Sequence, residues 1–179
     1  MPNRKVGSFF SRNSLVLNSL YRIIFGVVWL VDATLKFQPG FISGYYDIII
    51  SAAQSAPVWL SGWFSFWVSI ISSDPVLWAY IIMFSELAVA LSLIFGFMRK
   101  ISYSGGFILS LLIWSIPEGF GGPYGPNTTD IGTGIIYAIV FLMLIMINAI
   151  EGSSKYSLDY YIEKRVKWWR KLSEFGAGS

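Results

Sequence analysis

The chain has 179 residues, of which 55% are hydrophobic, 18% aromatic and only 13% charged, with a net charge of +3. That balance, with a mean hydropathy of +0.60, excludes an ordinary soluble domain and places the chain among integral membrane proteins, as one membrane domain. With no Cys and no His, the chain cannot by itself build a thiolate zinc site, a Cys-ligated iron–sulfur cluster, a His-ligated haem or a Ser-His-Asp triad, so no metal or haem is expected and any redox activity needs an exchangeable organic carrier or a partner subunit.

Residues 1–12 are polar and carry Arg4, Lys5 and Arg12. The start is basic like that of a signal peptide, but the apolar run behind it is long and lacks a small-residue cleavage pattern, so a retained anchor is expected. Residues 14–36 form the first predicted transmembrane helix, long enough to cross a hydrocarbon core of about 30 Å. Residues 48–73 are also charge-free and of spanning length. Pro57, seven Ser and an indole every fourth residue (Trp59, Trp63, Trp67) argue instead for two short helices along or dipping into the outer surface, broken near Pro57. The alternative reading makes them a further span.

Asp74 is placed to cap the next helix and Pro75 to start it. Residues 76–98 carry a single charge, Glu86, and are closed by Arg99 and Lys100. A short third span follows at 101–116, and residues 131–150 form a charge-free fourth. The fold class is therefore an all-α membrane protein: a four-transmembrane-helix bundle in residues 1–150, with an outer interfacial segment at 37–74.

The connections 37–74 and 117–130 contain no Lys or Arg, whereas the amino terminus, the Arg99–Lys100 turn and the tail are basic. The positive-inside rule then puts both termini in the cytoplasm and both polar connections outside, and a fifth span would break that pattern. Residues 151–179 hold six basic residues between Lys155 and Lys171 interleaved with Leu158, Tyr161, Ile162, Val166, Trp168 and Trp169. A basic amphipathic helix on the anionic inner leaflet is expected there, followed by a disordered end, with the bilayer rather than nucleic acid as partner.

Four charges fall within the spans: Arg22, Asp32, Lys36 and Glu86. Because an ionised group at bilayer depth costs about 2.5–3.5 kcal/mol, each needs a partner or a task. An Arg22–Glu86 ion pair is the simplest neutralisation, serving either as a structural clamp or as part of a site. Asp32 and Lys36 are spaced i, i+4 and can pair on one face. Lys36 is the only cation predicted near the outer face, and so is the candidate contact for an anionic substrate. Snorkelling toward headgroups is its other reading.

The thirteen residues from Glu118 to Asp130 carry four Gly, two Pro, Asn127, Thr128, Thr129 and two carboxylates. The glycines permit close backbone approach, and Asn127, Thr128, Thr129 and the amides leading into the fourth helix form a candidate anion cradle at a helix N-terminus. An ordinary capped turn is the competing reading. Glu118 and Asp130 are the side chains suited to accept protons there.

The motif "YRIIFGVVWLVDATLKFQPGF" resembles the first helix of DoxX-type membrane proteins, and "SELAVALSLIFGFMRK" resembles their second. The segment "PEGFGGPYGPNTTDIGTGIIY" is similar to the DoxD branch, the small membrane subunit of thiosulfate:quinone oxidoreductase. The resemblance implies a subunit that oxidises thiosulfate to tetrathionate at the outer face and passes electrons to membrane quinone, as in sulfur-oxidising archaea. It also implies a second small membrane subunit and association with a terminal quinol oxidase.

The matching positions are Arg22, Gly26, Lys36, Glu86, Glu118, Asn127 and Asp130. The resemblance does not itself assign roles; on the chemistry of the side chains Glu118, Asp130 and Glu86 are the candidate catalytic residues. Lys36, Asn127, Thr128, Thr129 and Arg22 are candidates to bind the substrate, and Trp29, Phe84 and Trp114 to line a quinone site. A non-catalytic accessory subunit packed beside a respiratory complex is the alternative.

Overall fold

The computed structural model describes the backbone of residues 4–122 and 130–176, and side chains from residue 13 onward. Expectations for Arg4, Lys5, Arg12, Asn127, Thr128, Thr129 and residues 177–179 lie outside the described side chains. The described chain is all-helical: α1 (Arg4–Leu35), α2 (Pro39–Ser55), a 3-10 turn (Val58–Leu60), α3 (Ser61–Ile71), α4 (Pro75–Phe95), α5 (Arg99–Ser115), α6 (Thr133–Glu151), α7 (Leu158–Glu163), a second 3-10 turn (Lys167–Trp169) and α8 (Arg170–Ser173). Three segments are long and apolar enough to cross a membrane, Asn13–Leu35, Pro75–Phe95 and Thr133–Glu151. α5, with 17 residues, is shorter.

Helices α1, α4, α5 and α6 pack side by side in that order, with α6 also touching α1. Packing without a hydrophobic drive between spans relies on small residues that admit a neighbour closely. A Cβ on Gly26 would lie 2.9 Å from Ile94 of α4, and one on Gly106 would lie 2.2 Å from the Phe141 ring of α6. The core between them is aromatic: Phe25, Trp29, Phe141 and Tyr103, packed with Leu93 and Leu144.

Helix α4 begins as its sequence indicates, with Pro75 in the first turn and the Asp74 carboxylate accepting from the Leu77 N–H at 3.0 Å. It ends at Gly96, whose φ of +64° supplies the left-handed C-terminal residue. The outer segment breaks at Ala56–Pro57. α2 then folds against α4 and α3 against α2, and the Trp63 indole N–H donates to the Ser115 carbonyl at 3.1 Å, tying α3 to the end of α5. The indole stripe divides: Trp63 and Trp67 turn inward with centroids 5.7 Å apart, while Trp59 is exposed.

The tail departs from the expected amphipathic helix. Residues after Gly152 fold under the bundle as short pieces, because their acids find buried partners. Asp159 is 0% exposed; its carboxylate accepts from the Met98 and Arg99 backbone N–H groups at 2.9 and 3.0 Å and pairs with the Arg99 side chain at 3.0 Å. It therefore caps α5 from sixty residues away and holds Met98 at its positive φ of 47°. Asn148 of α6 closes the same end by binding the Ser173 carbonyl and the Phe175 N–H, each at 3.2 Å.

Candidate functional site

The first correction concerns Arg22. Its guanidinium does not meet Glu86; it donates to the carbonyls of Leu93, Ile94 and Tyr156, the last two at 3.0 and 2.8 Å. A cation at a helix C-terminus satisfies unpaired carbonyls and opposes the dipole, so Arg22 ties α1 and the tail to the end of α4. Fourteen residues separate Arg22 from Lys36, about 21 Å along a helix at 1.5 Å per residue, so the two cannot share a small substrate.

Glu86 pairs with Lys36 instead. Lys36 Nζ lies 2.6 Å from Glu86 Oε2 and 3.7 Å from Asp32. Side-chain exposure falls along this chain of charges, from 40% at Asp32 to 19% at Lys36 and 0% at Glu86. The pair forms because α1 ends at Leu35 while α4 runs on to Pro75, so Glu86 sits at the level where α1 stops. Glu86 Oε1 is buried and has no hydrogen-bond partner among the described residues. Such an atom costs on the order of 1–3 kcal/mol unless something donates to it.

The loop carboxylates are also engaged. Both oxygens of Glu118 accept from the Gly134 N–H, at 3.2 and 2.9 Å, so this side chain caps α6. Asp130 closes a local turn by accepting from Gly132 N–H at 2.7 Å. The approach is close enough that a Cβ on Gly132, whose φ is +89°, would lie 2.5 Å from Glu118. The α6 N-terminus is thus filled by the protein's own carboxylate rather than left as a free anion cradle. Burial raises the Glu118 carboxyl above the usual glutamate range, while the Gly134 N–H pulls it back down.

Lys36, Glu86 and Glu118 converge on one cavity of about 500 Å³, between α4, α5 and the α2–α3 hairpin. The rest of its wall is mainly apolar and aromatic: Phe41, Tyr45 and Ile48 from α2, Trp67 and Ile71 from α3, and Trp78, Ile82, Leu109 and Leu112 from α4 and α5. Burial, with Glu86 beside it, pushes the Tyr45 hydroxyl up to about 12, so it remains protonated. The titratable groups on its wall are Lys36, Glu86 and Glu118, with Asp32 3.7 Å from the Lys36 ammonium. An anion meets more carboxyl than ammonium groups there, whereas a neutral polar headgroup with an apolar body fits.

The three aromatic residues expected to line a quinone site are not brought together. Trp29 is in the core, 5.3 Å from the Phe141 ring and 5.5 Å from Tyr137. Phe84 is 55% exposed on the outside of α4, stacked on Tyr80 and edge-on to Phe37. Trp114 holds the loop, donating from its indole N–H to the Ile131 carbonyl at 2.7 Å. None of the three lines the cavity. Among the aromatics that do, Tyr45 and Trp67 were missed because the outer segment reads as surface, and Trp78 stands in the first turns of α4. The inward turn of Trp63 and Trp67 at i, i+4 is the signal that marks a packed face there. Asn127, Thr128 and Thr129 are outside the described residues, and among the described residues there is no cluster of acidic side chains able to hold a metal ion.

Comparison with known families adds one match: residues 58–175 fit the family model described as "TQO small subunit DoxD". Glu86, Glu118 and Asp130 fall inside the matched range, and Lys36 and Arg22 outside it. No curated protein and no solved structure matches the chain.

Proposed function

The chain belongs to the DoxD family, membrane subunits of thiosulfate:quinone oxidoreductase-like complexes, and from that premise we propose that it works in a complex that oxidises thiosulfate to tetrathionate and reduces membrane quinone in the Lys36–Glu86 cavity. The carrying observation is the buried, unpartnered Oε1 of Glu86 at the polar end of a 500 Å³ apolar space. A quinone headgroup is neutral and flat, and it needs hydrogen-bonding and proton-donating groups at its oxygens, which is what a carboxyl beside an ammonium offers.

Two thiosulfate ions join through a new sulfur–sulfur bond and give up two electrons; the quinone takes those electrons and two protons to become the quinol. Glu86 faces the headgroup oxygen and exchanges a proton with it. Lys36 offsets negative charge developing during reduction, and Glu118, on the same wall, is the proton relay toward the loop. Since the chain has no Cys, no persulfide forms on it. The thiosulfate contact lies away from the carboxylate-rich cavity, on the second small membrane subunit or elsewhere on the loop face.

In this reading α5 is the third of four spans and α2–α3 lie at the outer interface. The basic Arg99–Lys100 turn and tail face the cytoplasm with both termini, and the Glu118 loop faces outward. The test is thiosulfate-driven reduction of a water-dispersed quinone by the chain reconstituted with its partner, against an artificial acceptor, ferricyanide. Glu86→Gln is expected to suppress quinone reduction while thiosulfate-to-ferricyanide turnover persists. Quinone turnover unchanged in both Glu86→Gln and Lys36→Ala removes the site assignment. Full turnover by the partner without this chain favours the accessory role beside a terminal quinol oxidase.

A further inference from the structure

Ser85, Leu109 and Leu112 each border two spaces at once. On one side they close the Lys36–Glu86 cavity, and on the other they open a second, of about 450 Å³, between α4 and α5. This second space runs along α4 from Ser85 to Ser92, about 10 Å at 1.5 Å per residue, and reaches Phe97 beyond the helix end. It follows the looser seam of the bundle, since α1 with α4 and α5 with α6 are the closely packed pairs.

The gap has a local cause in two adjacent glycines. Gly106 faces α6, and its missing side chain is replaced by the Phe141 ring; Gly105 faces the seam, and a Cβ there would meet nothing within 4 Å. Across from it α4 presents Ala88, and the walls are completed by Val89, Ile101 and Ile108. A groove of this kind left to itself exposes apolar surface to bilayer chains, so it is not empty in a membrane. What distinguishes it from an ordinary lipid-facing seam is that it adjoins, across Ser85, Leu109 and Leu112, the cavity that ends at a buried carboxylate.

We propose that the α4–α5 groove holds the isoprenoid tail of the quinone whose headgroup lies at Glu86, so that one ligand occupies both spaces. The inference rests on the quinone reading of the Lys36–Glu86 cavity and adds to it a binding element that selects for chain-bearing quinones. A phospholipid fits poorly, because its phosphate would meet Glu86 and Glu118 against the single Lys36. A partner helix fills a groove but leaves the carboxylate end without a donor.

Two substitutions fill the groove without touching the carboxylate end: Gly105→Leu, built into open space, and Ala88→Leu facing it. In the complex with its partner subunit, KM for a long-chain quinone is expected to rise about tenfold, the effect of excluding about two methylenes from burial. KM for the tail-less headgroup is expected to stay within about twofold, with kcat unchanged for both substrates. Parallel movement of the two KM values, or no movement of either, overturns the tail assignment, as does loss of the partner subunit on Gly105→Leu.

A second measurement does not need turnover: a quinone with a photoreactive group on its tail is expected to label the 97–108 stretch, with long-chain quinone competing and the tail-less headgroup not. Labelling without thiosulfate-driven reduction keeps the groove and removes the redox function. Reduction without labelling removes the groove and keeps the function.

Discussion

The most informative perturbation is a double-mutant cycle on Lys36 and Glu86. At 2.6 Å, two unit charges attract by about 6 kcal/mol at an effective dielectric constant near 20, before the cost of removing them from water. Lys36→Met leaves Glu86, 0% exposed, without a counter-ion, and loss of one member of a buried pair costs about 3–5 kcal/mol. Glu86→Gln is milder, about 1.5–3 kcal/mol, because Lys36 keeps Asp32 at 3.7 Å and is itself 19% exposed. The double variant Lys36→Met/Glu86→Gln carries neither charge and is expected to fall well short of the sum, by about 3 kcal/mol. Unfolding in mixed detergent micelles, followed by circular dichroism, measures all four corners. Additivity within about 0.5 kcal/mol refutes the pair as an energetic unit and with it the reason for Glu86 to be ionised beside the cavity.

Three other outcomes follow from particular contacts. Asp159→Ala removes the acceptor of two α5 backbone N–H groups and the partner of Arg99, so it is expected to destabilise by about 3–5 kcal/mol and expose the tail to protease; an uncleaved tail at wild-type stability contradicts the cap. Gly106→Ala drives a methyl into the Phe141 ring and is expected to cost about 1–3 kcal/mol, while Gly105→Ala, one residue away in open space, is expected to be neutral or to gain up to about 1 kcal/mol of helix propensity. Equal thermal shifts for the two argue against the α5–α6 contact.

For Glu118, burial raises the folded-state value, so the folded chain binds this proton more tightly than the unfolded chain. Its contribution is complete below the ordinary glutamate range and is lost as pH rises through the raised value. Stability is expected to fall from acid toward neutral pH, and Glu118→Gln to flatten that slope; an identical slope in the variant removes the assignment.

The helical elements were legible because span length, Pro75, Asp74, Gly96 and the break at Pro57 are local signals, and each acts where it stands in the chain. Pairing of the buried charges was not, because it depends on how far each helix extends past its neighbour. Spans treated as flush cylinders place Arg22 against Glu86. In the structure α4 overshoots the end of α1 by the stretch from Pro75 to Glu86, about 16 Å at 1.5 Å per residue, and that overshoot brings Lys36 to Glu86 and leaves a space for α2 and α3 to roof. The tail misled for a related reason. Its basic, aromatic periodicity fits a membrane surface, but Asp159, Glu163 and Glu174 gather around Arg99, a long-range charge match that no window of sequence displays.

The sign of the charge at each end of the molecule divides the chemistry. At the Arg22–Arg99 end these two buried cations bind backbone carbonyls and tail carboxylates, so they stabilise the fold. At the Lys36 end carboxylates outnumber the single cation, and the N-terminus of α6 is occupied by Glu118. A site of this kind draws protons and neutral, reducible headgroups, and it repels sulfur oxyanions. Under the proposed function, thiosulfate and quinone are therefore best met on separate surfaces, with electrons crossing between them.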